Sequence, residues 1–131
     1  IESGKEMVSI ARLFFGAALA YGVLGFLFGL HMAMSQDHGQ MPTHAHIMVI
    51  GWVSFALFSF FYHLFGEKVS KTLSLFHFWL AQISLVGLVI GLSLVYSGSP
   101  EFEPIAAISA LGYAASFLLF AGVALPVLRG R

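Results

Sequence analysis

The sequence predicts an all-α integral membrane protein, a four-helix bundle with both termini in the cytoplasm. Three observations carry that expectation. Hydrophobic residues make up 59% of the 131 residues and charged residues only 9%. The charges leave four long apolar windows, and every positive residue falls on one side of them. A soluble domain carries about 25% charged residues. This composition therefore excludes a soluble globular domain, a disordered tail and a nucleic-acid binder, which needs a basic face.

No Asp, Glu, Lys or Arg occurs in 13–36, 38–66, 72–100 or 104–128, and each window is at least 24 residues long. A helix crosses the hydrocarbon core in ~20 residues. The predicted spans are 10–34, 43–65, 72–96 and 104–128, which makes residues 1–131 a single transmembrane domain. A soluble core of this size could not hide four such runs.

The first span ends at Ala33-Met34-Ser35, which imitates a signal-peptide cleavage site. Its apolar run exceeds the roughly 7–15 residues of such a signal, so a retained helix is expected. Ser35-Gln36-Asp37-His38-Gly39-Gln40 is a polar loop, and Pro42 suits the first turn of the second span. Gly66-Glu67-Lys68-Val69-Ser70-Lys71 is a short turn before the third span. Ser97-Gly98-Ser99-Pro100-Glu101-Phe102-Glu103-Pro104 leads into the fourth, again with proline at a helix start.

Orientation follows from the positive residues. Lys5 and Arg12, Lys68 and Lys71, and Arg129 and Arg131 share one side, which is expected to be the cytoplasm. The opposite side carries Asp37, Glu101 and Glu103 and no positive residue. The expected location is the bacterial inner membrane, with membrane lipid as the surrounding partner. Small residues at helix-contact spacing (Ala18, Gly22, Gly25 and Gly29; Gly87 and Gly91; Gly112 and Ser116) predict close packing in lipid.

With no cysteine, disulfides, thiolate zinc sites, iron–sulfur clusters and covalently attached c-type heme are excluded. No nucleophile-plus-base pattern, Walker loop or dinucleotide fingerprint is present, so no catalytic residue is assigned. Six histidines remain, and ionisable groups inside a membrane span are functional candidates. His31, His38, His44 and His46 cluster toward the outward side, whereas His63 and His77 lie near the cytoplasmic ends of their spans. His44 and His63 are ~28 Å apart along a helix at 1.5 Å per residue, so they belong to opposite membrane faces. His63, His77, Tyr62, Trp79 and Tyr96 are expected at the membrane interfaces.

His44 and His46 are two positions apart, so on a regular helix they point ~200° away from each other. They cannot chelate one ion there but can serve two sites. On the His44 face, Met48, Gly51, Phe55, Phe58 and Tyr62 follow at helical spacing, and Gly51 leaves space for a macrocycle edge. Trp52 lies too deep for an interface belt and is expected to be packing or a cofactor neighbour.

His44-Ala45-His46-Ile47-Met48-Val49-Ile50-Gly51-Trp52, followed by Tyr62-His63, resembles the heme-bearing helix of heme-copper oxidase catalytic subunits. It is most similar to the high-affinity oxidases and nitric oxide reductases. The layout also resembles small four-helix bacterial membrane proteins described as oxidase-subunit-I-like. The specific match covers about 25 residues, Pro42 to Gly66. In that family the first histidine ligates the active-site heme and the second the low-spin heme. The resemblance implies heme b held by His44 or His46, with Gly51 and Trp52 beside it and His31 as a second ligand. A symmetry-related histidine across a homo-oligomer interface is the other choice. This chain has four predicted spans and no adjacent His-His pair, so it lacks the family's copper site and oxygen or nitric oxide reduction is not expected.

Two alternatives stand beside a heme protein for electron transfer or gas sensing. Asp37, His38, His44 and His46, with Met32, Met34 and Met41, form an outward group able to take copper or zinc. A cofactor-free assembly partner of a respiratory complex is the other.

Overall fold

The computed structural model describes residues 2–130, and of 2–9 only the backbone. All regular structure among the described residues is helical. Helix α1 is Glu2–Ser35, α2 runs over Met41–Lys68, α3 is Lys71–Tyr96 and α4 is Glu103–Leu128, led in by a 3-10 turn at Pro100–Phe102. Four stretches, Ile10–Ser35, Met41–Lys68, Lys71–Tyr96 and Pro100–Leu128, are long and apolar enough to cross a membrane. They match the four predicted spans and extend most of them by a few residues.

The reversals use local polar chemistry. After α1 the chain turns at Gln36, which adopts φ +60, and the Asp37 carboxylate accepts the Gly39 N–H at 3.0 Å. Gln40 then fixes the start of α2. Its amide donates to the Ser93 carbonyl at 3.0 Å and to Ser97 Oγ at 2.8 Å, while its oxygen accepts from Thr43 at 2.6 Å. Ser70 caps α3 by accepting the Leu73 N–H at 3.2 Å. Gly98 takes φ +102, a conformation glycine adopts without steric cost, and so frees the chain to leave α3.

Packing is concentrated in two hairpins, α1 with α2 and α3 with α4. Each depends on glycine at the closest approach. A side chain at Gly91 would meet the backbone nitrogen of Ala106 at 2.6 Å, so α3 and α4 touch there almost backbone to backbone. On α1, Gly22, Gly25 and Gly29 face Trp52, Met48 and His44 of α2. The shared core contains Phe14, Phe55, Ala81 and Leu85, all fully buried. Outward surfaces carry large apolar side chains such as Leu24, Phe26, Ile83, Leu111 and Leu118, each at least 60% exposed. A face of that kind suits lipid, not water.

Helix α2 is not uniform. Residues Met41–His46 are α-helical, Ile47–Val53 form a π-helical segment, and Ser54–Phe65 return to α. The wide segment is supported from outside its own backbone ladder. Ser54 Oγ donates to the Val49 carbonyl at 2.8 Å, and the Tyr113 hydroxyl of α4 donates to the Ile50 carbonyl at 2.8 Å. Hydroxyl groups satisfy freed carbonyls in this way wherever lipid offers no water.

Candidate functional site

The face that regular helical spacing predicts below His44 lies against α1, through Met48, Gly51, Phe55, Phe58 and Tyr62. A helix bonded i→i+5 turns less per residue, so in the π segment positions four apart drift back where an α-helix drifts forward. His44, Met48 and Trp52 therefore follow one another along Gly29, Gly25 and Gly22 of α1. Phe55, Phe58 and Tyr62 meet α1 lower down, around Phe14.

Gly51 does not provide room for a macrocycle. A Cβ added there would lie 2.9 Å from Tyr21 Cγ, so the Tyr21 ring already fills the space. That ring is held in place by a 2.8 Å hydrogen bond from its hydroxyl to Gln82. Trp52 is half-buried against Gly22, a packing role, and its outer side borders an apolar groove with Leu19, Val23, Phe26 and Leu27.

The two histidines of the motif have different surroundings. His44 lies over Gly29, whose Cβ position is 2.8 Å from His44 Cε1, and edge-on to Phe28 with ring centroids 6.3 Å apart. Its Nδ1 is buried with no hydrogen-bond partner. His46 is the reverse. Its Nδ1 is 2.7 Å from the Pro42 carbonyl, which can only accept, so Nδ1 carries the proton. With Nδ1 engaged, Nε2 is the nitrogen left to act as a ligand atom, and it is not buried. A ring held through Nδ1–H to a carbonyl, with Nε2 bare, is the usual arrangement of a ligating imidazole.

The other outward candidates are dispersed. His31 is exposed on α1, and Asp37 and His38 are exposed in the loop, with Asp37 already accepting from Gly39. Among the described residues no three of His, Cys, Asp or Glu stand together as a metal-ligand set. Met32 is buried, whereas Met34 and Met41 are exposed.

At the other end of the bundle the interface expectation needs correction. His77 and Tyr62 are 0% and 1% exposed, so neither is an interface anchor. The Tyr62 hydroxyl and His77 Nδ1 share a hydrogen bond of 2.8 Å. The His77 ring lies 4.6 Å from Phe58, 4.9 Å from Phe120 and 5.0 Å from Phe14, centroid to centroid. Its Nε2 is buried and unpartnered. One signal for this burial was present in the chain. Ser74, His77, Ala81, Ser84, Leu88 and Gly91 recur at three and four residues, so His77 lies on the small and polar stripe of α3. His63, Trp79 and Tyr96 are exposed.

Compared with known protein families, curated proteins and solved structures, the chain has no match.

Proposed function

We propose that this is a multi-pass protein of the bacterial inner membrane, with both termini cytoplasmic, that binds heme b at its outward end for electron transfer or gas sensing. The observation that carries the proposal is the hydrogen bond from His46 Nδ1 to the Pro42 carbonyl, which leaves Nε2 as an oriented, accessible donor. The resemblance of His44 to Trp52 to the oxidase heme helix supports the same reading, and the segregation of positive charge supports the orientation.

The residues fit heme at a lipid-facing surface, not inside the bundle, because Tyr21 fills the space at Gly51 and the His44 ring packs over Gly29 with Nδ1 buried. His46 would hold the iron. A second histidine would come from a second copy of the chain, His46 again or the exposed His31, and would have to give way for a diatomic gas to bind. The site is therefore a homo-oligomer interface. Bound there, heme would supply a reversible one-electron couple or a position for a diatomic gas. The polypeptide's part is to fix the ring of His46, to exclude water with the apolar faces of α1 and α2, and to set the distance between copies. Among the described residues, Asp37, His38, His44 and His46 are not gathered into a set for copper or zinc. A respiratory-chain protein is the partner class that an electron-transfer role requires.

The test is an oxidised and reduced absorption spectrum of protein expressed with ample heme. A Soret band is expected, lost in His46→Ala and retained in His44→Ala. Absence of the band, with no heme uptake on titration, overturns the proposal.

A further inference from the structure

A second feature lies on the opposite end of the α1–α2 hairpin, which carries Lys5, Arg12 and Lys68 together with Glu2, Glu6 and Glu67. Here Ala11, Arg12, Phe15, Ser59, Phe60 and His63 line a groove of about 340 Å³ between the two helices. Phe15 and Phe60 together form its apolar surface, with ring centroids 6.3 Å apart and planes inclined by 30°. Its floor is sealed, because Ser59 Oγ donates to the Ala11 carbonyl at 2.8 Å and so satisfies both groups within the protein. Arg12 and His63 are exposed at the groove, and among the residues whose side chains are described no carboxylate lines it. Among the described residues, neither side chain has an ion-pair partner that would occupy it.

We infer that this groove is a binding site for an anionic phospholipid, with its phosphate on Arg12 and His63 and an acyl chain lying along the apolar surface that Phe15 and Phe60 form together. Charge complementarity commits the site to that occupant. A guanidinium offers a planar fork of donors suited to phosphate oxygens, and an imidazole N–H adds a second direction. Basic pockets between helices on the positive side of a membrane protein are where acidic headgroups collect. A zwitterionic lipid would bring its own cation to the same place and gain less. Arg12 and His63 approach each other because α1 and α2 are antiparallel, so a residue early in one helix meets a residue late in the other. The inference rests on the membrane assignment and is independent of heme.

The experiment titrates the full chain in neutral detergent with phosphatidylglycerol, with phosphatidylcholine of the same acyl chains, and with inorganic phosphate, reading thermal unfolding and retained lipid. Phosphatidylglycerol is expected to raise the melting temperature and to remain bound through size exclusion, whereas the other two do neither. One Lys or Arg near a charged lipid contributes about 1 kcal/mol, so Arg12→Gln is expected to weaken binding about fivefold. Arg129→Gln, outside the groove, is expected to leave it unchanged. Phe60→Ala keeps Arg12 and His63 and is expected to weaken binding through the lost apolar contact with the acyl chain. An equal response to phosphatidylcholine overturns the inference, as does a full response to phosphate alone. Equal losses in Arg12→Gln and Arg129→Gln would reduce the effect to general surface charge and overturn it as well. Recovery of the chain in the soluble fraction without detergent would overturn the membrane assignment itself, whereas a missing Soret band would leave the lipid titration standing.

Discussion

His46 and His77 show how one side chain is used in two opposite ways within a single bundle. His77 is enclosed, with one nitrogen bonded to Tyr62 and the ring pressed among Phe14, Phe58 and Phe120. His46 is anchored through Nδ1 to its own helix, and its second nitrogen remains accessible. The difference lies in which partner takes Nδ1. A partner on the same helix, four residues back, orients the ring without covering it. A partner on another helix draws the ring into the interior, where aromatic neighbours close over the remaining nitrogen. Candidate ligands in a membrane bundle are therefore separated from structural histidines by where the first hydrogen bond goes.

The largest expected effect breaks the enclosed half. His77→Ala leaves a void among four aromatic rings and an unpaired Tyr62 hydroxyl, and it is expected to cost about 3 kcal/mol. His31→Ala, exposed on α1, is expected to stay within about 0.5 kcal/mol. Denaturant unfolding in micelles compares the two, and similar losses would remove the distinction drawn between them. The double variant Tyr62→Phe with His77→Phe sharpens the point, because replacing both members of a buried polar pair by apolar groups of like shape is nearly neutral. It is expected to recover most of the stability that His77→Ala loses.

A smaller effect is expected where helices meet through glycine, and its size depends on what the new atom strikes. Gly91→Ala places a methyl against the backbone of Ala106, which cannot move without shifting α3 from α4. About 2 kcal/mol is expected, in the usual range for overpacking. Gly25→Ala meets the side chain of Met48, which can change rotamer, and Ile47 Cγ2 at 3.1 Å, which need give by only a few tenths of an ångström, and about 1 kcal/mol is expected. Thermal unfolding of the two variants side by side measures this, and a larger loss for Gly25→Ala would contradict the packing described for the two hairpins.

How much of this was legible in the sequence follows from the same contrast. The four spans were legible because lipid excludes charge, and a charge-free window is visible without knowing any contact. The gathering of His31, His38, His44 and His46 at one end of the bundle was legible for the same reason. The environment of His77 was not, because it depends on Phe14, Phe58 and Phe120 arriving from three other helices, although its place on the small-residue stripe of α3 pointed inward. The space expected at Gly51 was lost to Tyr21, a residue of another helix that spacing along α2 cannot register. The π segment was invisible for a related reason. Its extra width changes no residue type, and its hydroxyl support comes partly from Tyr113, 63 positions away from Ile50.

That distant hydroxyl provides the smallest and most specific test. Tyr113→Phe keeps the ring that packs in the core and removes only the donor to the Ile50 carbonyl. Hydrogen bonds between membrane helices contribute about 0.6 kcal/mol on average, so the global loss is expected to be near that figure. The local consequence is expected to be larger than the global one. With its outside donor gone, Ile47–Val53 has less reason to hold the wide turn and can tighten toward a regular α-helix. Tightening would rotate Met48 and Trp52 away from Gly25 and Gly22, whereas His46, N-terminal to the segment and held by Pro42, would stay in place. Amide hydrogen exchange is therefore expected to change within residues 47–53 and to remain as before around Tyr62 and His77. If heme binds through His46, its spectrum is expected to survive in this variant. A shifted Soret band there would mean that the outward site depends on the π segment, and the local anchoring argued for His46 would then be insufficient to define it.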